Sequence, residues 1–247
     1  MATLTPLIET RGLSREFGGL KAVSDVDFTL HKGEIRAIIG PNGAGKTTFV
    51  SLVCGRIEPS AGVIFFEGHE ITRMPAHKRV MAGIAYTFQI TSIFPKLSVY
   101  DNVALPVQRR LLARGHVRPA DLDAGVNRAL KKVGLANQGA NLAGSLAYGH
   151  QRLLEVAMGL ALEPRLLILD EPTQGLSDGE IETFNSLVRD NAKEATVLLI
   201  EHNMQVVMAL SDRITVMNAG RVLAEGTPQE IRDNRLVQEA YLGTGDE

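Results

Sequence analysis

The chain has one cysteine in 247 residues. Cys54 has no partner for an internal disulfide, so nothing in the fold depends on an oxidising compartment. Its apolar neighbours Phe49, Val50, Leu52 and Val53 make it a small buried hydrophobe. A surplus of one charge sign is also missing. Twenty-six Lys and Arg stand against 28 Asp and Glu, a net of −2 with the six His neutral. That balance supplies no overall field for a polyanion, which excludes a general nucleic-acid coat and a strongly basic membrane anchor. No basic segment followed by an apolar run opens the sequence, so no signal peptide is expected. Two charge-free stretches, 80–95 and 133–151, are interrupted by Gly, Gln, Asn, Ser or Pro. Neither reads as a membrane span, so work at a membrane would run through a partner. What is present is an ordinary globular composition, 45% hydrophobic and 22% charged. It argues against disorder, collagen and coiled coil. The length suits one large domain or two small ones around a sizeable core.

Short apolar runs dominate the first third. Leu7-Ile8 and 23–30 read as strands bounded by Gly18-Gly19 and Lys32-Gly33, and 35–39, 63–66 and 84–88 read as further strands. A helical stretch fills 46–55. From about 90 to 162 the spacing becomes helical, with segments near 98–110, 120–133 and 146–162. Strand-like runs return at 166–169, 197–200 and 213–217, separated by helices at 179–191 and 203–210. The tail, 228–242, reads as one or two short helices. Strands alternating with helices argue for an α/β fold with a mostly parallel sheet, here carrying a helical insertion.

Gly40-Pro41-Asn42-Gly43-Ala44-Gly45-Lys46-Thr47 fits the phosphate-loop pattern, and its context is the one the chemistry needs. An apolar strand precedes it and a helix follows. Gly43 and Gly45 allow backbone N–H groups to turn inward. The helix start presents partial positive charge to phosphate. Lys46 reaches β- and γ-phosphate oxygens, and the Thr47 hydroxyl ligates Mg²⁺. A glycine-rich turn with a chance Lys-Thr is the plainer alternative, and the strand–loop–helix setting argues against it.

Leu166-Leu167-Ile168-Leu169-Asp170-Glu171 is an apolar run ending in two acids. A buried strand in a parallel sheet would deliver them to the carboxyl edge, where ligands bind. Asp170 would then orient Mg²⁺ and Glu171 polarise an attacking water. His202 follows another apolar run, 196–200, and would leave the same edge as a hydrogen-bond donor to the γ-phosphate. None of the other five His follows a comparable run. Gln89 closes the strand at 84–88 and opens the insertion. It is either a ligand of the metal or attacking water, or a polar loop residue. Phe17 is either a stacking partner for a purine base or a core aromatic.

In this order the residues resemble the ATP-binding subunits of ABC transporters, from about residue 7 to 243. The resemblance makes Phe17 the adenine-stacking aromatic, residues 40 to 48 (through Thr48) Walker A, and Gln89 the Q-loop glutamine. It makes 145–151 the signature region, 166–171 Walker B, and His202 the switch histidine. It implies a P-loop NTPase core with an N-terminal antiparallel β-subdomain and a helical subdomain, one ABC domain spanning 1–247. The ATPase core would take 1–89 and 163–247, and the helical subdomain 90–162. It implies ATP and Mg²⁺ as ligands, with Thr47, Gln89 and Asp170 at the metal. In that family two such subunits close head to tail, which implies that Ala147, Tyr148, Gly149 and His150 of one would face the ATP of the other. The partners implied are transmembrane permease subunits, a second ATP-binding subunit, identical or paralogous, and indirectly a substrate-binding protein. Nucleic acid is not among them. The implied place is the cytoplasmic face of the inner membrane, as a peripheral subunit. Ile90, Ile93, Phe94 and Leu97 would line the groove for a permease coupling helix.

The departures from the family are informative. The signature reads Leu146-Ala147-Tyr148-Gly149-His150 where most of the family has Leu-Ser-Gly-Gly-Gln. Ala147 has no hydroxyl to offer a phosphate, a loss of roughly 0.5–1.5 kcal/mol. Ser177 stands where the family usually has Asp. The Ala-Tyr-Gly turn resembles the ATPase of branched-chain amino acid importers. So do Thr87-Phe88-Gln89, the run 199–204, the run 224–228 and the ending Tyr241-Leu242-Gly243. Transport of branched-chain amino acids or similar small polar solutes is therefore expected. Residues 92–102 also look like the lipopolysaccharide-exporter ATPase, so a lipid exporter is an alternative, as is a soluble ABC-type ATPase. The latter usually carries two ATP modules, a long coiled coil or a basic surface, none of which the sequence shows. A phosphate-loop kinase and a non-hydrolysing regulatory subunit are further alternatives. Glu171 beside Asp170 with a downstream His202 favours a hydrolase over the former.

Overall fold

Two consecutive glycines at positive φ, Gly18 at 52° and Gly19 at 93°, close the first hairpin. Such a turn matches the twist of antiparallel strands. It joins β1 (Ile8–Phe17) to β2 (Leu20–Leu30), with Phe17 opposite Leu20. The first strand is longer than its apolar pattern predicts, because register shifts between Thr10 and Glu16 let it continue. The computed structural model that shows this describes residues 6–87, 92–115, 117–192 and 194–242. They divide into two compact units, Met1–Arg79 with Thr196–Glu247, and Val80–Ala195.

In the first unit β3 (Ile35–Ile39) is wholly buried and leads into α1 (Lys46–Val53). β4 (Ala61–Phe66) pairs antiparallel with β1, and β5 (His69–Glu70) with β4, completing the antiparallel sheet. A short helix, α2 (Ala76–Ala82), follows. It was not legible in the sequence, since seven residues hold too little of a helical period. Its Arg79 is 1% exposed. The guanidinium donates to the carbonyls of Leu52 and Val53 (both 2.8 Å), Ile71 (2.7 Å), Thr72 (3.0 Å) and Met74 (2.8 Å). Burial pulls its pKa down to about 10, yet it remains a cation on the last carbonyls of α1, where the helix dipole favours one.

The second unit opens with β6 (Ile84–Thr87) and the helices α3 (Val99–Ala113), α4 (Pro119–Lys132) and α5 (Tyr148–Leu160). β7 (Leu166–Asp170) pairs parallel with β6, Tyr86 opposite Ile168. α6 (Asp178–Ala192) follows. The chain then re-enters the first unit. β8 (Thr196–Ile200) pairs parallel with β3 and is also fully buried. α7 (Met204–Leu210) leads to β9 (Arg213–Asn218), parallel to β3 on its other side. β10 (Arg221–Gly226) pairs antiparallel with β9. It is mostly half-buried, so its apolar signal is weak and the sequence pattern passes over it. α8 (Pro228–Arg232) carries a Thr227–Glu230 capping box, and α9 (Arg235–Leu242) closes the described chain. A core of Ala37, Ile39, Val207, Ile214, Val216, Ile231 and Val237 packs α7, α8 and α9 against this sheet. Burying continuous apolar strands on both faces is what a parallel sheet requires. The architecture is the α/β one expected, with a mostly parallel sheet, an antiparallel β-sheet and helices. Among the described residues no helix is long and apolar enough to cross a membrane.

Candidate functional site

β3 ends at Ile39 and α1 begins at Lys46, so residues 40–45 must turn a strand into a helix. Gly40, Gly43 and Gly45 do so at φ 152°, 77° and 98°. A Cβ on Gly40 would lie 2.1 Å from the Met217 carbonyl oxygen, and one on Gly45 2.3 Å from that of Ala22. Both obstacles are backbone, on β9 and β2, and cannot swing aside. Gly43 faces open space, so its requirement is conformational. The loop is stitched in place through Gly220, whose N–H donates to Ala44 O (3.0 Å) and whose carbonyl accepts from Ser24 (2.8 Å). α1 starts with no side-chain cap and no acid in its first turn. Its first N–H groups are thus left to an anion. Lys46 Nζ donates to the carbonyls of Gly40 (2.6 Å) and Pro41 (3.0 Å), which folds the ammonium back over the loop. Asn42 and Thr47 are exposed, Pro41 and Thr48 half-buried, and Ala44 buried.

β8 leaves the sheet at the same edge as β3, because the two are parallel neighbours. Glu201 at its end is 1% exposed. Its Oε2 accepts the N–H groups of His202 (3.0 Å) and Asn203 (3.1 Å), and Asn203 Oδ1 caps α7 through Gln205 N (3.0 Å). His202 is therefore fixed between a buried carboxylate and a capped helix, with its imidazole exposed. Phe17, at the end of β1, is 44% exposed with the Arg15 guanidinium 4.5 Å over its ring. It is not a core aromatic, and a flat exposed face suits stacking.

In the second unit β7 brings Asp170 to its carboxyl end at 2% exposure. A carboxylate so deep needs hydrogen bonds, and Tyr86 Oη supplies one to Oδ2 at 2.6 Å. Glu171 follows at φ 46°, a region that residues with a Cβ seldom adopt and that recurs where a site demands it. The signature turn stands at the start of α5. Ala147 is the N-cap, gives no side-chain cap, and no acid occupies the first turn. Gly149 is buried, and a Cβ on it would lie 2.1 Å from Glu180 Oε1. Glu180, on α6, is held by the N–H (2.8 Å) and hydroxyl (2.7 Å) of Ser177. Those two hydrogen bonds, with His150 nearby, keep its carboxyl below the usual range. Tyr148 is 44% exposed, and its ring edge would be 3.0 Å from a Cβ on Gly175, at φ 78°. His150 Nδ1 lies 3.4 Å from Gln138 Nε2.

Gln89 and Ile90 lie outside the described residues. Phe94 and Leu97 are 51% and 37% exposed. Buried Asn102 presents Phe94, accepting its N–H (2.7 Å) and donating to its carbonyl (3.0 Å). Tyr86, Glu180, Glu201 and Asn102 were missed by sequence reasoning. Ser177-x-x-Glu180 is a capping-box spacing that could have pointed to Glu180, and nothing local pointed to the other three. No group of three or more His, Cys, Asp or Glu among the described residues could hold a metal by itself. Each unit offers a hard oxygen, the Thr47 hydroxyl in the first and the Asp170 carboxylate in the second. Such hard oxygens suit Mg²⁺, which takes few protein ligands and completes its shell with phosphate and water.

Residues 23–174 match a family described as ABC transporter, and residues 221–247 match one described as branched-chain amino acid ATP-binding cassette transporter. The chain is similar to the high-affinity branched-chain amino acid transport ATP-binding protein BraF of Pseudomonas aeruginosa, 40% identical over 96% of this chain and 98% of that one. It is less similar to the lipopolysaccharide export system ATP-binding protein LptB of Haemophilus influenzae, 30% identical over 96% and 97%. Among solved structures it is similar to the ADP conformation of MJ1267, an ATP-binding cassette of an ABC transporter. That likeness has a TM-score of 0.84 and 26% identity, and it covers 96% of this chain and 99% of that one.

Proposed function

The chain belongs to the ABC transporter family as an ATPase that serves transport, and from that premise we propose that it powers uptake of branched-chain amino acids through membrane permease subunits. The observation that carries this reading is the likeness to BraF across nearly the whole chain, which the match of residues 221–247 extends to its end.

In this reading the amides of 40–45 and the start of α1 cradle the triphosphate, Lys46 leaves its loop carbonyls for the β- and γ-phosphates, and Phe17 stacks on adenine. Thr47, Asp170 and Gln89 would hold Mg²⁺, which would supply positive charge to neutralise the phosphate oxygens. Glu171 accepts a proton from water as its oxygen attacks the γ-phosphorus. The bond to the bridging oxygen breaks, giving ADP and phosphate. His202 donates a hydrogen bond to the γ-phosphate as its charge shifts. The turn Ala147-Tyr148-Gly149-His150 meets the ATP of a second ATP-binding subunit. Hydrolysis then loosens the pair and moves the permease, with the subunit seated at the inner face of the membrane. Phe94, exposed and braced by Asn102, is a contact for that permease.

The test is uptake. A strain lacking this chain should lose ATP-dependent accumulation of leucine, isoleucine and valine. The wild-type chain should restore it and Lys46→Ala should not. Unchanged amino-acid uptake together with failed lipopolysaccharide delivery to the outer membrane would replace this reading with export.

A further inference from the structure

The turn that ends α5 gathers more positive charge than it neutralises. Glu163, at φ 51°, pairs its carboxylate with Arg110, with Arg128 (3.1 Å) and with Arg114 (3.0 Å). Three guanidinium groups thus share one carboxylate. Lys132 is paired with Glu194, and Arg109 and Arg165 stand on the same face. Two cavities, of about 380 and 300 Å³, lie on either side of the Arg110–Glu163 pair, and together six cations and two carboxylates line them. The chain as a whole carries a net charge of −2, so this surplus is local. Exposed ion pairs contribute little stability, and gathered like charges cost some. A network that served only to pin the turn would not need the extra arginines.

Arg110 and Glu163 line both cavities, and Arg110 is the cation of that shared pair. The Arg110 side chain is 11% exposed, and its Nε is buried without a hydrogen-bond partner among the described residues. Gly125 lets α4 come this close, since a Cβ there would lie 2.6 Å from Val107 and 3.1 Å from Arg110. The second cavity also has an apolar wall, with Val80 and Met81 37% and 42% exposed.

We propose that this face is a second anion site, distinct from the phosphate loop, which takes a phosphate-bearing anion between Arg109, Arg110 and Arg114. Planar guanidinium forks match phosphate oxygens two at a time, and several forks around a hollow are suited to phosphate rather than to a lone halide. Two sources share this chemistry. One is a soluble polyphosphate. The other is the headgroup of an anionic phospholipid, whose chains the Val80–Met81 wall would meet. The proposal is independent of the solute the transporter carries.

The experiment uses the full chain in a Lys46→Ala background, which weakens phosphate binding at the loop. Pyrophosphate is titrated by calorimetry, and phosphatidylcholine vesicles with and without phosphatidylglycerol are used in sedimentation. Saturable binding of pyrophosphate identifies a soluble ligand, and sedimentation only with phosphatidylglycerol identifies a headgroup. Arg109→Gln with Arg114→Gln, both exposed, should weaken whichever binding is seen by roughly thirtyfold, at about fivefold per charge. Should that pair fold poorly, Arg128→Gln on α4, with its side chain 61% exposed, should lower affinity about fivefold by the same rule. The proposal fails if neither probe binds, or if binding persists unchanged in these variants.

Discussion

In the first unit the phosphate loop is shaped by backbone, whereas in the second the signature turn and the end of β7 rest on side chains. Around the phosphate loop, Gly40 and Gly45 are pressed against carbonyls of β9 and β2, so a side chain has nowhere to go. Around the signature turn, Gly149 meets the carboxylate of Glu180, which is itself held by the N–H and hydroxyl of Ser177. Asp170 likewise depends on the Tyr86 phenol. The two regions also share something. α1 and α5 both start without a side-chain cap or a first-turn acid, whereas Ser98, Asn203 and Thr227 cap α3, α7 and α8. A bare helix start is a stability cost that an anion can offset. The difference teaches that the backbone-built site is rigid and intolerant, while the side-chain-built one can be retuned residue by residue.

The proposed roles place binding at the phosphate loop and turnover at Glu171, and variants can break that division. Glu171→Gln acts only on the second unit. It should lower ATP hydrolysis by about 10²–10⁴-fold while ATP affinity, read by fluorescent-nucleotide titration, stays within a factor of about two of the wild type. An equal loss of affinity would end the division of labour. Gly40→Ala acts only on the first unit. With backbone 2.1 Å from the new carbon, it should cost about 3 kcal/mol of unfolding free energy and abolish nucleotide binding. Urea unfolding reads the first and the same titration the second. A stable, nucleotide-binding Gly40→Ala would show that β9 yields more readily than its packing implies. Gly149→Ala should be milder, about 1 kcal/mol, because the Glu180 side chain can rotate away from Ser177. Pairing it with Glu180→Ala should recover most of that loss. Additive costs in this cycle would mean that something other than Glu180 confines Gly149.

The same contrast explains what could be read in advance. β7 and β8 are nearly continuous apolar runs, as is β3 apart from its buried Arg36, because both their faces are covered, and such runs stand out in a sequence. Gly-x-x-x-x-Gly-Lys-Thr is legible because backbone geometry dictates it locally. Tyr86 beneath Asp170, Glu180 beside Gly149 and Glu201 beneath His202 bind groups whose partnership only folding creates. Between the first two pairs the chain separation is long, and no local period marks it. Arg79 is the sharpest case. An arginine in a short, charged stretch reads as solvated, yet it is buried because five carbonyls around α1 and the loop before α2 need a donor. The half-buried strand β10 and the short α2 failed for the opposite reason, since their local signals are real but too brief to stand out.

The smallest predicted effect is the one that separates the two meanings of a bare helix start. Ala147 sits at the N-cap of α5 with φ −56° and ψ 150°, the extended geometry from which a hydroxyl accepts an N–H one turn in. Ala147→Ser should therefore stabilise α5 by about 1 kcal/mol as a cap alone, seen as a higher urea midpoint. If the turn also meets nucleotide in the assembled transporter, the hydroxyl adds a hydrogen bond to phosphate, and the KM for ATP should fall by roughly two- to tenfold. A higher midpoint with no change in KM would make the turn a helix start and nothing more. A lower KM would show that alanine here holds back affinity that the surrounding N–H groups are already placed to give.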